Sequence, residues 1–191
     1  MFASASWDCS IRIWDQNTFQ STNVLNIHTN YVNSLVVVRN EYLISISDDQ
    51  SFIVWDILNN FTRIITTKTN ANLNSISLFS NDSFITGDSS GSIQMWSTSQ
   101  FTFKIEKTLN DPVSDLVFLN SGYLVSTSFD KTIKIWDNSF QLWSSFSNAN
   151  TKPILALKVK NKMDFVSSSQ DGTIHFWNTD YFILNKTIYI H

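Results

Sequence analysis

Five tryptophans recur along the chain at a nearly constant spacing, and this period constrains the fold more than any other feature. The steps between them are 41, 41, 40 and 41 residues, and the tryptophans are Trp14, Trp55, Trp96, Trp136 and Trp177. A fixed period of about 40–45 residues is typical of a small β-sheet that is repeated along a chain. The sequence therefore predicts an all-β protein with about five copies of one unit.

Apolar residues recur at two fixed positions before each tryptophan. Three residues before it stand Ile11, Phe52, Ile93, Ile133 and Ile174. One residue before it stand Ile13, Val54, Met95, Ile135 and Phe176. Because alternate residues of a strand point to opposite faces, each apolar pair shares one face and the tryptophan lies on the other. Both faces carry bulky apolar groups, so we expect each strand to be covered on both sides.

Polar turns divide each unit into four strands, which in the second unit we place at 32–38, 42–47, 52–56 and near 61–67. The first unit lacks its innermost strand, so we predict about 19 strands in all. Such sheets are the blades of β-propellers. We treat residues 1–191 as one propeller arc, with repeats at approximately 1–27, 28–68, 69–109, 110–150 and 151–191.

A tryptophan–aspartate dipeptide marks three units and is altered in two, as Trp14-Asp15, Trp55-Asp56, Trp96-Ser97, Trp136-Asp137 and Trp177-Asn178. A Ser or Thr stands ten residues before each tryptophan, and in four units an Asp stands six residues before it. This register covers essentially the whole chain and resembles the WD-repeat family. The resemblance implies a β-propeller of four-stranded antiparallel blades, with the first blade incomplete.

In WD repeats, a His, a Ser or Thr, an Asp and the Trp form a buried hydrogen-bond network. Carried over to this chain, the complete set is His28, Ser45, Asp49 and Trp55. Partial sets are Ser126, Asp130 and Trp136 in the fourth unit and Ser167, Asp171 and Trp177 in the fifth; the His position falls near Thr69, Asn110 and Asn150. Ser90 replaces the Asp of the third unit, so we expect Trp96→Ala to cost less stability than Trp55→Ala.

Two loop positions in this family point to the top face of the propeller, where partners often dock. They lie immediately before the turn Asp and immediately before the first strand, and the candidates here are Trp7, Tyr31, Asp48, Asn72, Phe129 and Gln170. Aromatic residues are enriched among the hot spots of protein interfaces. We therefore predict a non-catalytic scaffold that binds a protein or peptide through its top-face loops.

A purely structural role is the alternative prediction. The arc would complete a larger ring, with further blades and any activity supplied by other parts of a multidomain protein. The end blades of an open arc expose apolar surface, which favours this alternative. A propeller enzyme is disfavoured because no carboxylate–His cluster recurs at the inner-strand positions.

Composition excludes several other classes. The net charge is −3 and no Lys/Arg run exists, so we expect no nucleic-acid partner. No stretch approaches the roughly 18 apolar residues of a membrane helix, so we expect no membrane partner. Cys9 is the only cysteine, which favours an intracellular, cytoplasmic setting and leaves the nucleus open.

Metal and cofactor binding are likewise not expected. No second His or Cys lies at ligand spacing from His28. Four glycines could hardly supply a phosphate-binding loop. Asp48 and Asp49 face opposite ways in the repeat register, which disfavours a catalytic pair of carboxylates.

Overall fold

The computed structural model describes residues 1–109, 111–147, 150–160, 164–178, 181 and 183–190. These residues form 19 strands and no helix, which confirms the all-β prediction. The described part of the chain accordingly offers no helix of the length and hydropathy needed to cross a membrane. Nor does any group of three His, Cys, Asp or Glu within these ranges have the placement to hold a metal ion.

The strands form five antiparallel sheets in chain order. Sheet 1 has three strands, β1 (Phe2–Ala5), β2 (Ile11–Trp14) and β3 (Ser21–Leu25). Sheet 2 comprises β4 (Val32–Val38), β5 (Tyr42–Ser47), β6 (Ser51–Asp56) and β7 (Thr62–Lys68). Sheet 3 comprises β8 (Leu73–Ser80), β9 (Ser83–Asp88), β10 (Ser92–Ser97) and β11 (Phe103–Thr108).

Sheets 4 and 5 repeat the same order. Sheet 4 comprises β12 (Val113–Phe118), β13 (Leu124–Ser128), β14 (Ile133–Trp136) and β15 (Leu142–Phe146). Sheet 5 comprises β16 (Ile154–Val159), β17 (Asp164–Ser169), β18 (Thr173–Asn178) and β19 (Ile183–Tyr189). The propeller-type sheets and the three-stranded first sheet are as predicted. Within the described ranges the sheets form an arc that does not close into a ring.

In sheets 2 to 5 the tryptophan packs against the apolar pair of the sheet before it. Trp55 shares a core cluster with Ile11 and Ile13 of sheet 1. The same contact recurs along the arc for Trp96 with Phe52 and Val54, Trp136 with Ile93 and Met95, and Trp177 with Ile133 and Ile135. In sheets 2 to 4 both faces of the third strand are therefore buried between neighbouring sheets, as the sequence pattern predicted.

A β-bulge interrupts every inner strand at the same place. The register with the second strand shifts between Val32/Ser34, Leu73/Ser75, Val113/Asp115 and Ile154/Ala156. A bulge adds one residue and turns its side chain out of the normal alternation. The side-chain amides of Asn33 and Asn74 then donate to the main-chain oxygens of Leu73 and Val113 in the next sheet, at 2.8 and 2.7 Å.

Sheet 3 keeps the tryptophan hydrogen bond and a carboxylate in its turn, although its sequence motif is altered. The Trp96 indole donates to the Thr86 hydroxyl at 2.9 Å, and its rings pack against Phe52, Phe84 and Phe103. The buried Asp88 carboxylate, two residues before Ser90, accepts hydrogen bonds from the turn that follows β9. The structure therefore gives no basis for a looser third sheet, and the expectation of a smaller loss for Trp96→Ala has to be revised.

Candidate partner-binding face

All five repeat tryptophans donate an indole hydrogen bond to the Ser or Thr that stands ten residues earlier. The distances are 2.9–3.0 Å, and the acceptors are Ser4, Ser45, Thr86, Ser126 and Ser167. A buried indole N–H that lacked an acceptor would destabilise the fold. The ten-residue spacing therefore reflects a hydrogen bond between the second and third strands of each sheet.

The four network residues of sheet 2 lie in contact. His28 Nε2 lies 2.7 Å from Ser45 Oγ, and His28 Nδ1 lies 2.8 Å from Asp49 Oδ2. Ser45 Oγ also accepts the Trp55 indole N–H at 3.0 Å. His28 and Ser45 are both buried. The hydrogen bonds of His28 join the loop before β4 to strand β5 and to the turn between β5 and β6.

Burial and hydrogen bonding set the charges within this network. Burial lowers the pKa of His28 below its usual value and outweighs the raising effect of Asp49. Burial alone would raise the pKa of Asp49, but hydrogen bonds from Ser51, His28 and the Thr29 amide lower it below its usual value. The network at neutral pH is therefore a neutral imidazole held against a carboxylate.

Sheet 5 replaces the histidine with an amide. Asn150 Nδ2 lies 3.3 Å from Asp171 Oδ2 and 2.7 Å from Thr173 Oγ1. Burial opposes ionisation of Asp171, yet hydrogen bonds from Thr173 and Thr151 hold the pKa of this carboxyl well below its usual range. In sheet 4, the Thr132 amide donates to Asp130 at 2.8 Å. Asn110, at the corresponding His position, lies outside the described residues.

The two kinds of predicted top-face loop lie at one end of the sheets. The strands of each sheet run antiparallel in chain order. The loop that enters the first strand of a sheet and the turn between its second and third strands therefore lie at the same end. A main-chain hydrogen bond of 2.9–3.2 Å joins the two positions in sheets 2 to 5, from Asp48 to Tyr31, Ser89 to Asn72, Phe129 to Pro112 and Gln170 to Pro153.

Trp7 and Tyr31 form the most exposed aromatic feature of this top face. Their ring centroids lie 5.4 Å apart with an interplanar angle of 20°. The side chains are nevertheless 73% and 44% exposed. A main-chain hydrogen bond of 3.1 Å from the Val32 amide to the Ser6 oxygen holds the two loops together.

The other predicted contact residues spread along the arc. Asp48 lies beside Tyr31 and accepts the side-chain amide of Asn33 at 2.6 Å. Asn72 is half-buried, whereas Phe129 and Gln170 are exposed in the turns of sheets 4 and 5. The structure thus groups Trp7, Tyr31 and Asp48 at one end of the face.

Sequence reasoning missed the carboxylate that joins the inner strands. Asp115 Oδ1 accepts the Ser75 hydroxyl at 2.5 Å, and Asp115 Oδ2 accepts the Leu157 amide at 2.7 Å. One side chain of sheet 4 therefore bonds to both neighbouring sheets. A polar residue inside an otherwise apolar inner strand, next to the bulge, was the signal available in the sequence.

Two depressions lie away from the top face. One, of about 220 Å³, is lined by residues including Gly122, Tyr123 and Asp137 at the opposite end of sheet 4. Its Asp137 carboxylate already accepts the amides of Ser139 and Gln141. The second, of about 70 Å³, is an apolar groove between sheets 1 and 2. Neither brings together groups that suggest a reaction.

A family model described as WD domain, G-beta repeat matches residues 1–15, 19–56, 102–137 and 141–178. The chain therefore belongs to the WD-repeat family, whose members are generally non-catalytic and bind protein partners. The third unit between the matched segments nonetheless forms a complete four-stranded sheet.

Curated relatives share this repeat over different lengths. An uncharacterized WD repeat-containing protein of Schizosaccharomyces pombe is 25% identical over 93% of this chain and 62% of its own length. Periodic tryptophan protein 2 of Arabidopsis thaliana is 26% identical over 98% of this chain and 22% of its own length. The human WD repeat-containing protein 37 is 32% identical over 41% of this chain and 16% of its own length. The chain thus spans less than two thirds of each relative.

Proposed function

We propose that this chain is a non-catalytic scaffold that binds a protein or peptide through its top face. The observation that carries the proposal is the stacked pair of Trp7 and Tyr31, which stays exposed although two sheets hold it in place. Large aromatic side chains that are fixed before binding lose little conformational freedom when a partner covers them.

Three ionisable groups near this face, His28, Asp49 and Asp171, have structural tasks, which favours binding over catalysis. His28 and Asp49 bond to each other and to residues of the same network. Asp171 accepts four hydrogen bonds or more from the loop and turn around it. A general base must lie within hydrogen-bond distance of the substrate proton that it removes. These groups are instead hydrogen-bonded within their own sheets.

Comparative capture tests this function. Wild-type chain and the triple variant Trp7→Ala/Tyr31→Ala/Phe129→Ala are immobilised, and proteins retained from a lysate of the source cells are compared by mass spectrometry. Tyr181→Ala is the matched control, since Tyr181 is 78% exposed in a turn at the opposite end of the sheets. Specific partners should be lost with the triple variant and kept with the control; equal retention by all three proteins contradicts the proposal.

The structural alternative is favoured by the face of sheet 5 at the end of the arc. Ile174 and Phe176 of sheet 5 are half-buried, whereas Ile133 and Ile135, their counterparts in sheet 4, are fully buried. Further blades would cover this face. A soluble, sharply melting monomer of these 191 residues would contradict the alternative, and light scattering with a thermal melt measures both properties.

The proposal includes an intracellular site of action. Its support is the lone Cys9, since proteins of oxidising compartments generally pair their cysteines. A fluorescent fusion tests this, and distinguishes cytoplasm from nucleus. Secretion of the fusion would contradict it.

A further inference from the structure

We propose that the Trp7–Tyr31 pair seats an arginine side chain from a basic segment of the partner. This inference rests on the proposed function, because it gives the chemistry of one contact on the same top face. It is carried by the stacking geometry, by the aspartates next to the two aromatic residues and by the rigidity of the loop.

One face of the Trp7 ring remains available for stacking. Tyr31 covers the other face at a centroid distance of 5.4 Å, and Trp7 is still 73% exposed. The face of an indole carries negative electrostatic potential and attracts a cation that lies over it. A guanidinium is planar and weakly hydrated, so it stacks on such a ring better than an ammonium group does.

An aspartate lies next to the backbone of each aromatic residue. Asp8 follows Trp7 directly, and its side chain is 52% exposed. Asp48 is joined to Tyr31 by a main-chain hydrogen bond of 3.0 Å. Hydrogen bonds from the Ser10 hydroxyl and amide hold the pKa of Asp8 below its usual value, which keeps this carboxylate charged.

The neighbouring cations leave these carboxylates accessible. Arg12 approaches Asp8 Oδ2 at 3.7 Å in a pair whose side chains are about half exposed, and such pairs are weak. Lys68 donates to the main-chain oxygen of Asp49 rather than to a carboxylate. An incoming guanidinium on the free face of Trp7 can therefore direct its N–H groups towards Asp8. Asp48, whose Oδ1 already accepts the Asn33 side-chain amide at 2.6 Å, adds negative charge to the same end of the top face.

The loop that carries Trp7 is held in place by its own hydrogen bonds. The amides of Asp8 and Cys9 donate to the hydroxyl and the main-chain oxygen of Ser6 at 3.1 and 3.2 Å. Cys9 adopts a left-handed backbone conformation with φ of 70°, which closes the turn. A rigid turn reduces the entropy cost of binding a side chain on its tip.

Titration of the full chain by NMR tests this inference with defined probes. The indole signal of Trp7 is assigned by its loss in Trp7→Phe and followed with acetyl-Gly-Arg-Gly-amide and with the Lys, Gln and Pro analogues. The Arg probe should bind roughly two- to fivefold more tightly than the Gln probe, as expected for an exposed cation over an indole. Equal dissociation constants for the Arg and Gln probes, or tighter binding of the Pro probe than of the Arg probe, overturn the inference.

Charge-matched variants separate the carboxylates from the rings. Asp8→Asn/Asp48→Asn should reduce the preference for Arg over Gln, whereas Asp56→Asn/Asp137→Asn at the opposite end should leave it unchanged. An undiminished preference in the first variant overturns the proposed role of the carboxylates. If capture depends on the aromatic triple substitution while the Arg probe shows no preference, the protein-binding function stands and the arginine inference fails. Capture that ignores the triple substitution rejects the function itself.

Discussion

The ring of Trp7 in sheet 1 stacks on the ring of Tyr31, which stands directly before the first strand of sheet 2, at a centroid distance of 5.4 Å. Neither side chain contributes to the tryptophan period, and both stay exposed. Their loops are fixed by the hydrogen bond between Ser6 and Val32. The scaffold that buries the repeat tryptophans thus holds Trp7 at the surface in a fixed orientation.

Trp55→Ala and Trp96→Ala should lower the free energy of unfolding by similar amounts, about 3–5 kcal/mol each. Each removes a buried indole that donates to a hydroxyl and packs against the preceding sheet. Denaturant unfolding measures both losses. Trp143→Ala is the control, with an expected loss below about 1 kcal/mol because Trp143 is 61% exposed. A Trp96 loss close to that of Trp143 would contradict the account of sheet 3.

Asp115→Ala should cost roughly 2–4 kcal/mol, because it leaves the Ser75 hydroxyl and the Leu157 amide without their acceptor. Chemical denaturation of the variant measures this loss. Asp82→Ala provides the comparison, since Asp82 pairs with Arg39 at 2.6 Å but is 79% exposed, and its removal should cost less than about 1 kcal/mol. Equal losses for the two variants would show that Asp115 does not couple the inner strands.

The free energy of unfolding should fall as the pH drops below about 6.5, the usual pKa of histidine. Burial lowers the pKa of His28 in the folded state, so the unfolded chain takes up this proton first and is stabilised relative to the fold. His175 contributes in the same direction because burial lowers its pKa too. Denaturant melts at pH 7 and pH 5 should show a smaller decrease for His28→Asn than for the wild type. An unchanged decrease would rule out this role for His28.

Much of the fold follows from the sequence because each sheet repeats one local solution. The tryptophan period, the apolar pairs and the Ser or Thr ten residues earlier describe contacts within a sheet or between adjacent sheets. The strands of sheet 2 accordingly lie close to their predicted bounds. Asp88 shows the limit of this reasoning, since it serves the turn of sheet 3 from a position where the repeat pattern does not expect an Asp.

The contacts between inner strands could not be read in the same way. Asn74 and Asp115 act across sheets, and their directions depend on a bulge that the strand pattern does not reveal. The stacking of Trp7 on Tyr31 was likewise invisible, although both positions were predicted for the top face. Their contact depends on the angle between sheets 1 and 2, which no spacing within one repeat specifies.

Hydroxyl-radical footprinting with and without a captured partner tests the central claim most directly. Trp7 and Trp143 are 73% and 61% exposed in the free chain, so both should be oxidised readily. The account predicts that the bound partner protects Trp7 and Tyr31 while the oxidation of Trp143 and Tyr181 is unchanged. Protection of Trp143 or Tyr181 with continued oxidation of Trp7 would contradict it.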